Sequence, residues 1–178
     1  MPESPQHPKP AGKRLGMGMI AAAWVILLAL LALFFGDRLE ELRNPNQQVE
    51  SAVLTGGVRE VTLRRNRAGH YVATGLINGQ PVEFLLDTGA TTVSIPENVA
   101  HRLGLSRGPP MLASTANGVI TTYATRLGRV ALGDIEVDNV GANINPGMGG
   151  GAVLLGMSFL KNLEFTQRGN TLTLRQNP

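Results

Sequence analysis

Phe84-Leu85-Leu86 leads directly into Asp87, and Thr88-Gly89 follows. A strand this apolar carries its last residue toward a core, where an isolated carboxylate is expensive to leave without a partner or a task. Glycine permits the sharp turn and the close backbone approach that a Cβ forbids. The segment therefore offers one carboxyl group from a stiff loop at the end of a buried strand, a candidate for acid–base chemistry. Asp, Thr and Gly are also ordinary turn residues, and an Asx turn that merely ends a strand has the same composition. The tripeptide gains meaning only from its surroundings.

Other chemistries find little support in the remaining residues. The chain has no cysteine, which excludes disulfides, thiolate metal sites and cysteine nucleophiles. His7, His70 and His101 lack metal-ligand spacing, so neither a metal nor a cofactor is expected. The glycines at 147–151 are not followed by Gly-Lys-Ser/Thr and do not make a phosphate loop. Ser94 and Ser158 have no His or Lys partner motif. Asp134 and Asp138 lie on an alternating strand edge and read as solvated, as does the basic cluster Arg59, Arg64, Arg65 and Arg67. A net charge of +3 and an aromatic content of 4 % argue against a nucleic-acid partner.

The elements that would position Asp87 read as all-β with one or two short helices. Strand-like runs are expected at 58–64, 71–77, 82–86, 92–95, 111–115, 119–132 (with a break near Gly128), 135–144, 153–155, 164–166 and 171–174. Asn78-Gly79 and Asn117-Gly118 are hairpin turns by composition. Pro96 suits the first position of a short helix that ends before Gly104, and 157–163 has helical spacing. A strand–glycine–helix pattern around Asp87 recurs weakly around Gly156.

Upstream, residues 1–14 form a polar, proline-rich tail expected to be disordered. Residues 15–36 carry no charge and match the roughly 20 apolar residues of a transmembrane helix. A cleavable signal sequence fits less well, because its apolar core is usually only ~7–15 residues. Lys9, Lys13 and Arg14 precede the span, while Arg38 and Arg43 are interleaved with acids. That asymmetry predicts a cytoplasmic N-terminus and a domain outside the cytoplasm. Residues 37–57 read as a linker, in which Arg38–Arg43 suit a short juxtamembrane helix that Asn44-Pro45-Asn46 breaks, and 58–176 as the folded domain.

With these elements in place, the segment Phe84-Leu85-Leu86-Asp87-Thr88-Gly89-Ala90-Thr91-Thr92-Val93-Ser94-Ile95 resembles the active-site region of retroviral-type (retropepsin-like, clan AA) aspartic proteases. Val153-Leu154-Leu155-Gly156-Met157-Ser158-Phe159-Leu160 is similar to the family's second landmark, and Ala116-Asn117-Gly118 to the tip of its flap hairpin. The similarity covers roughly 58–174, and the N-terminal anchor resembles a bacterial, membrane-tethered, single-domain group. The resemblance implies a closed β-barrel of the acid-protease type. It implies Asp87 as the catalytic residue, Thr88, Gly89 and Ala90 as loop support, and Leu155 and Gly156 as support from the second motif. A peptide or protein substrate follows, cleaved by a water that a pair of Asp carboxyls activates. Only one Asp-Thr-Gly occurs, so the second carboxyl is expected from an identical chain in a homodimer. For a bacterial protein, the predicted topology means a single pass through the inner membrane and a periplasmic protease domain. Retroviral relatives commonly pair an Arg after the second-motif Gly with acids after Asp-Thr-Gly-Ala. Here those positions are Met157 and Thr91-Thr92, so the interface must be braced differently. A membrane-tethered binding or dimerisation module without turnover is the reading from another class, and release of the domain by self-cleavage within 44–57 is a third.

Overall fold

Two apolar runs, each ending in a tight turn, organise the domain. The computed structural model describes residues 12–115 and 118–178. Strands β3 (Val72–Ile77) and β4 (Gln80–Leu86) form a hairpin whose turn residues Asn78 and Gly79 have φ of 50° and 79°. Both residues of a two-residue turn of this hand need positive φ, which is why Asn-Gly is found there. Strand β9 (Ala152–Leu155) lies parallel to β4, pairing Leu86 with Leu155. Their common end brings Asp87 beside Gly156.

The other strands are β5 (Val93–Pro96), β6 (Pro110–Thr115), β7 (Gly118–Leu132) and β8 (Ile135–Asn145). Together with β3, β4 and β9 they make one sheet in the order β3-β4-β9-β5-β8-β7-β6. A further pairing of β3 with β7, at Leu76↔Ala131 and Ile77↔Val130, joins the ends of a six-strand ring. Strand β6 hangs outside the ring as the partner of β7 in a long hairpin. A second sheet runs β1-β2-β11-β10, from β1 (Glu50–Val53), β2 (Arg59–Arg64), β10 (Glu164–Arg168) and β11 (Thr171–Gln176). Alternation in β2 and β11 turns Val61, Leu63, Leu172 and Leu174 inward, and these four join the ring's Phe84, Ile95, Leu127 and Ile144 in one core. Short helices α2 (Glu97–Arg102) and α3 (Met157–Leu160) follow β5 and β9, and α3 adds the buried Phe159 and Leu160. The mostly-β fold with two short helices agrees with the sequence reading.

Some details differ. Strand β7 runs through Gly128 without a break. A Cβ there would come within 3.1 Å of the Asn78 side-chain oxygen, which accepts a hydrogen bond from the Arg129 amide. Glycine makes room for that side chain and does not end the strand. Pro96 is the residue before helix α2, with φ −57° and ψ 145°, and still belongs to β5. Helix α3 ends at Leu160, short of the expected residue 163.

Residues up to Glu40 and Glu41–Pro178 form two units. The first contains most of α1 (Gly12–Arg43), whose apolar side chains from Met17 to Phe35 are exposed. It is long and apolar enough to serve as a membrane span or a signal sequence. Residues 37–57, expected as a linker, hold regular structure: α1 continues to Arg43, and β1 pairs antiparallel with β2. Between them, Asn44 and Asn46 are buried. The Asn46 side chain donates to the carbonyls of Arg64 (2.9 Å) and Val72 (2.6 Å) and accepts from the Arg64 amide (2.7 Å). Asn44 donates to the Thr74 hydroxyl at 3.1 Å. These asparagines break the helix, as expected, and also fasten the chain to β2 and β3.

Candidate active site

Asp87 follows β4 and is half-buried, while Thr88 and Gly89 are exposed. Its amide donates to the Leu155 carbonyl at 3.2 Å, so the second motif holds the base of the loop. One carboxyl oxygen accepts from the Gly89 amide at 2.8 Å, and the Asp87 carbonyl accepts from Ala90 at 3.3 Å. The first contact is the Asx turn that the composition allows, and the second closes a backbone turn over the same residues.

The second motif continues to support the loop beyond Asp87. The Ala90 carbonyl accepts from Met157 (2.8 Å), and the Thr91 carbonyl from Ser158 (3.0 Å). Gly156 lies so close that a Cβ would stand 2.6 Å from the Ala90 oxygen and 2.4 Å from that of Thr92. Only glycine fits there without moving backbone. Leu155 is fully buried. Asp87, Thr88, Gly89, Ala90, Leu155 and Gly156 are therefore brought together. Gly118 begins β7 with φ 111° and pairs with Thr115 across the β6–β7 hairpin. Ala116 and Asn117, the other residues of the expected flap tip, lie outside the described residues. Near the tip, Leu112 and Val119 expose apolar side chains.

Four polar side chains brace the loop: Ser94, Ser158 and Thr92, which the sequence named for other reasons, and Asn143, which it did not single out. The Ser158 hydroxyl accepts from the Val93 amide at 3.0 Å. Ser94 donates its hydroxyl to Asn143 Oδ1 at 2.9 Å, and Asn143 Nδ2 donates to the Thr92 hydroxyl at 2.7 Å. One signal pointed to Asn143: it is a polar residue among the buried Ala142, Ile144 and Asn145 of β8. The Gly-rich loop before β9 is tied to α2 by Asn98, which donates to the Gly150 carbonyl at 3.1 Å. Among the described residues, no three His, Asp or Glu side chains converge as metal ligands.

The family model for gag-polyprotein putative aspartyl protease matches residues 73–162, half of the chain, and so spans both motifs. The chain belongs to this aspartyl protease family. Among curated relatives of this family member is an uncharacterized protein from Sinorhizobium sp., encoded in the cobV 5′ region. It is 31 % identical, over 90 % of this chain and 73 % of its own length. The uncharacterized protein RP867 of Rickettsia prowazekii (strain Madrid E) is 26 % identical, over 80 % of this chain and 64 % of its own length. The crystal structure of a retropepsin-like aspartic protease from Rickettsia conorii matches with a TM-score of 0.55 and 26 % identity, covering 72 % of this chain and 95 % of the other. The aspartyl protease fold described above is thus retropepsin-like.

Proposed function

We propose that this protein is a membrane-anchored aspartic endopeptidase, active as a homodimer, with Asp87 of each chain forming the catalytic pair. The supporting observation is the carboxyl of Asp87 at the end of the half-buried strand β4, braced by the Leu155-Gly156 motif. Thr88 and Gly89 on the outer side of that loop are open to a second copy. One chain supplies one Asp-Thr-Gly, and a two-fold axis through the loop supplies the other. Two carboxyls a few ångströms apart cannot both ionise cheaply, so the pair holds one proton between them. The ionised member takes a proton from a bound water as that water attacks the scissile carbonyl. The protonated member donates toward the carbonyl oxygen. Thr88 bonds across the axis and keeps the two loops in register. Gly89 and Ala90 shape the loop, and the hairpin tip at Ala116, Asn117 and Gly118 covers the substrate.

Helix α1 anchors the chain in the bacterial inner membrane with its N-terminus in the cytoplasm, which puts the protease domain in the periplasm. Confinement to a membrane raises the effective concentration of the two subunits. The test is cleavage of a peptide library by the wild type and by Asp87→Asn, with and without a pepstatin-type transition-state analogue. Loss of activity by on the order of 10²–10⁴-fold, at unchanged melting temperature, is the expected result. Equal activity in the two proteins refutes the mechanism. Met157 and Thr91-Thr92, which replace an interface ion pair, favour a second reading as a binding module without turnover. A stable monomer that cleaves nothing in the library decides for it.

A further inference from the structure

The Asp87 loop is tied to the rest of the fold at successive points. The carbonyls of Ala90 and Thr91 are held by the α3 amides of Met157 and Ser158, and the Val93 amide by the Ser158 hydroxyl. Between them stands Thr92, whose hydroxyl is gripped by a residue from a different strand, Asn143 on β8, at a sequence distance of 51. Asn143 is only 8 % exposed, and both ends of its amide are used: Nδ2 on Thr92 and Oδ1 on the Ser94 hydroxyl, which is itself buried. A buried amide with both ends engaged has one favoured position, because moving away leaves a polar group unpaired. Nearer to Asp87 the loop is held through its backbone, by the Ala90 and Thr91 carbonyls, the Asx turn and the Leu155 tie, whereas the bond from Asn143 to Thr92 ties it by side chains to β8. The placement of the carboxyl therefore depends in part on how firmly the loop is held at Thr92.

We propose that Asn143 is a positioning residue, which fixes the Asp87 loop by its hydrogen bond to Thr92 and is itself oriented by Ser94. This rests on the reading of Asp87 as catalytic. The clamp stands at one of the positions where the resembling retroviral enzymes carry acids, and it braces the loop within one chain by neutral groups. Its energetic logic is that of preorganisation: a reacting group displaced by about 1 Å can lose on the order of 10²-fold in rate with little effect on binding.

The test uses the full chain in detergent micelles, with the best-cleaved peptide of a random library as probe. Thr92→Val keeps the shape and removes the acceptor, and Thr92→Ser restores it. The expected result for Thr92→Val is kcat lowered about 10-fold or more with KM changed less than about 2-fold. Amide exchange at residues 88–92 accelerates in parallel, and Thr92→Ser returns both readouts close to wild type. Should Thr92→Val fail to fold, Thr92→Ala, which lets water reach the Asn143 amide, carries the same measurements. The proposal is overturned if the substituted protein matches wild type in exchange and kcat, or if Thr92→Ser is as impaired as Thr92→Val. A wild type that cleaves no peptide counts against the catalytic reading instead, and loop exchange then decides the clamp alone.

Discussion

Gly156→Ala is a one-methyl perturbation aimed at the contact between the two motifs. The backbone at Gly156 has φ −89° and ψ −173°, which alanine adopts without strain, so the whole effect is steric. The new Cβ would lie 2.4 Å from the Thr92 oxygen, 2.6 Å from the Ala90 oxygen and 2.8 Å from the Thr92 carbonyl carbon. All three are backbone atoms and no rotamer change relieves them. An ordinary C···O approach is about 3.3 Å, so the loop or α3 must shift by roughly 0.9 Å. Overpacking of this kind costs about 1–3 kcal/mol, a drop in melting temperature of roughly 5–10 °C for a domain of this size. The loop that shifts is the one that carries Asp87, so activity per folded molecule falls by on the order of 10²-fold. Gly75→Ala is the control. Its Cβ would stand 2.5 Å from the Ala131 oxygen and 2.7 Å from the Phe84 ring, away from the loop. It lowers stability while the folded fraction keeps its kcat. Thermal unfolding and peptide hydrolysis, measured on both variants, check the reasoning. A Gly156→Ala protein with wild-type melting temperature and wild-type kcat refutes it.

Other consequences follow from polar groups away from the loop. Asn46→Ala leaves the Arg64 amide and the carbonyls of Arg64 and Val72 without their side-chain partner, and urea unfolding of the domain is expected to show a loss of about 2–4 kcal/mol. The Tyr71 hydroxyl is buried with no hydrogen-bond partner among the described residues, so Tyr71→Phe is expected to raise stability by about 1 kcal/mol in the same measurement. The hydrogen bond from Arg129 holds the Asp138 carboxyl below its usual range. A carboxyl lowered by folding contributes stability that is present above its unfolded-state value of 3.8 and is lost as pH falls through the folded-state value. Unfolding followed from pH 5 downward is therefore expected to show a steeper acid loss in wild type than in Asp138→Asn, with the difference shrinking as salt is added.

The central architecture was legible because it is written locally. Alternation marked β2, and Asn78-Gly79 marked the β3–β4 hairpin. Two apolar runs ending in Asp-Thr-Gly and in Gly marked the paired strands that meet at the candidate site. The parts that escaped depend on partners far away in the chain. Strand β1 is exposed along its whole length and contains Ser51 and Ala52, so neither burial pattern nor propensity announces it; only pairing with β2 makes it a strand. Asn44 and Asn46 read as helix breakers, and their second role appears only when Arg64, Val72 and Thr74 are brought to them. The same holds for Asn143: an asparagine within a buried strand is conspicuous, but no spacing rule names Thr92, 51 residues earlier, as its partner.

On the proposed reading of α1 as an anchor, the fastening of residues 44–53 bears on how the domain would leave a membrane. A protease binds its substrate as a free extended strand, and here Asn44 and Asn46 must first be drawn out of their contacts and β1 must peel from β2 before residues 44–46 and 50–53 can be taken up in that form. Release by proteolysis in this segment is then governed by the population of that opened form more than by the sequence at the cut. Shedding becomes a readout of local stability: weakening the asparagine fastening speeds it with every residue around the scissile bond unchanged.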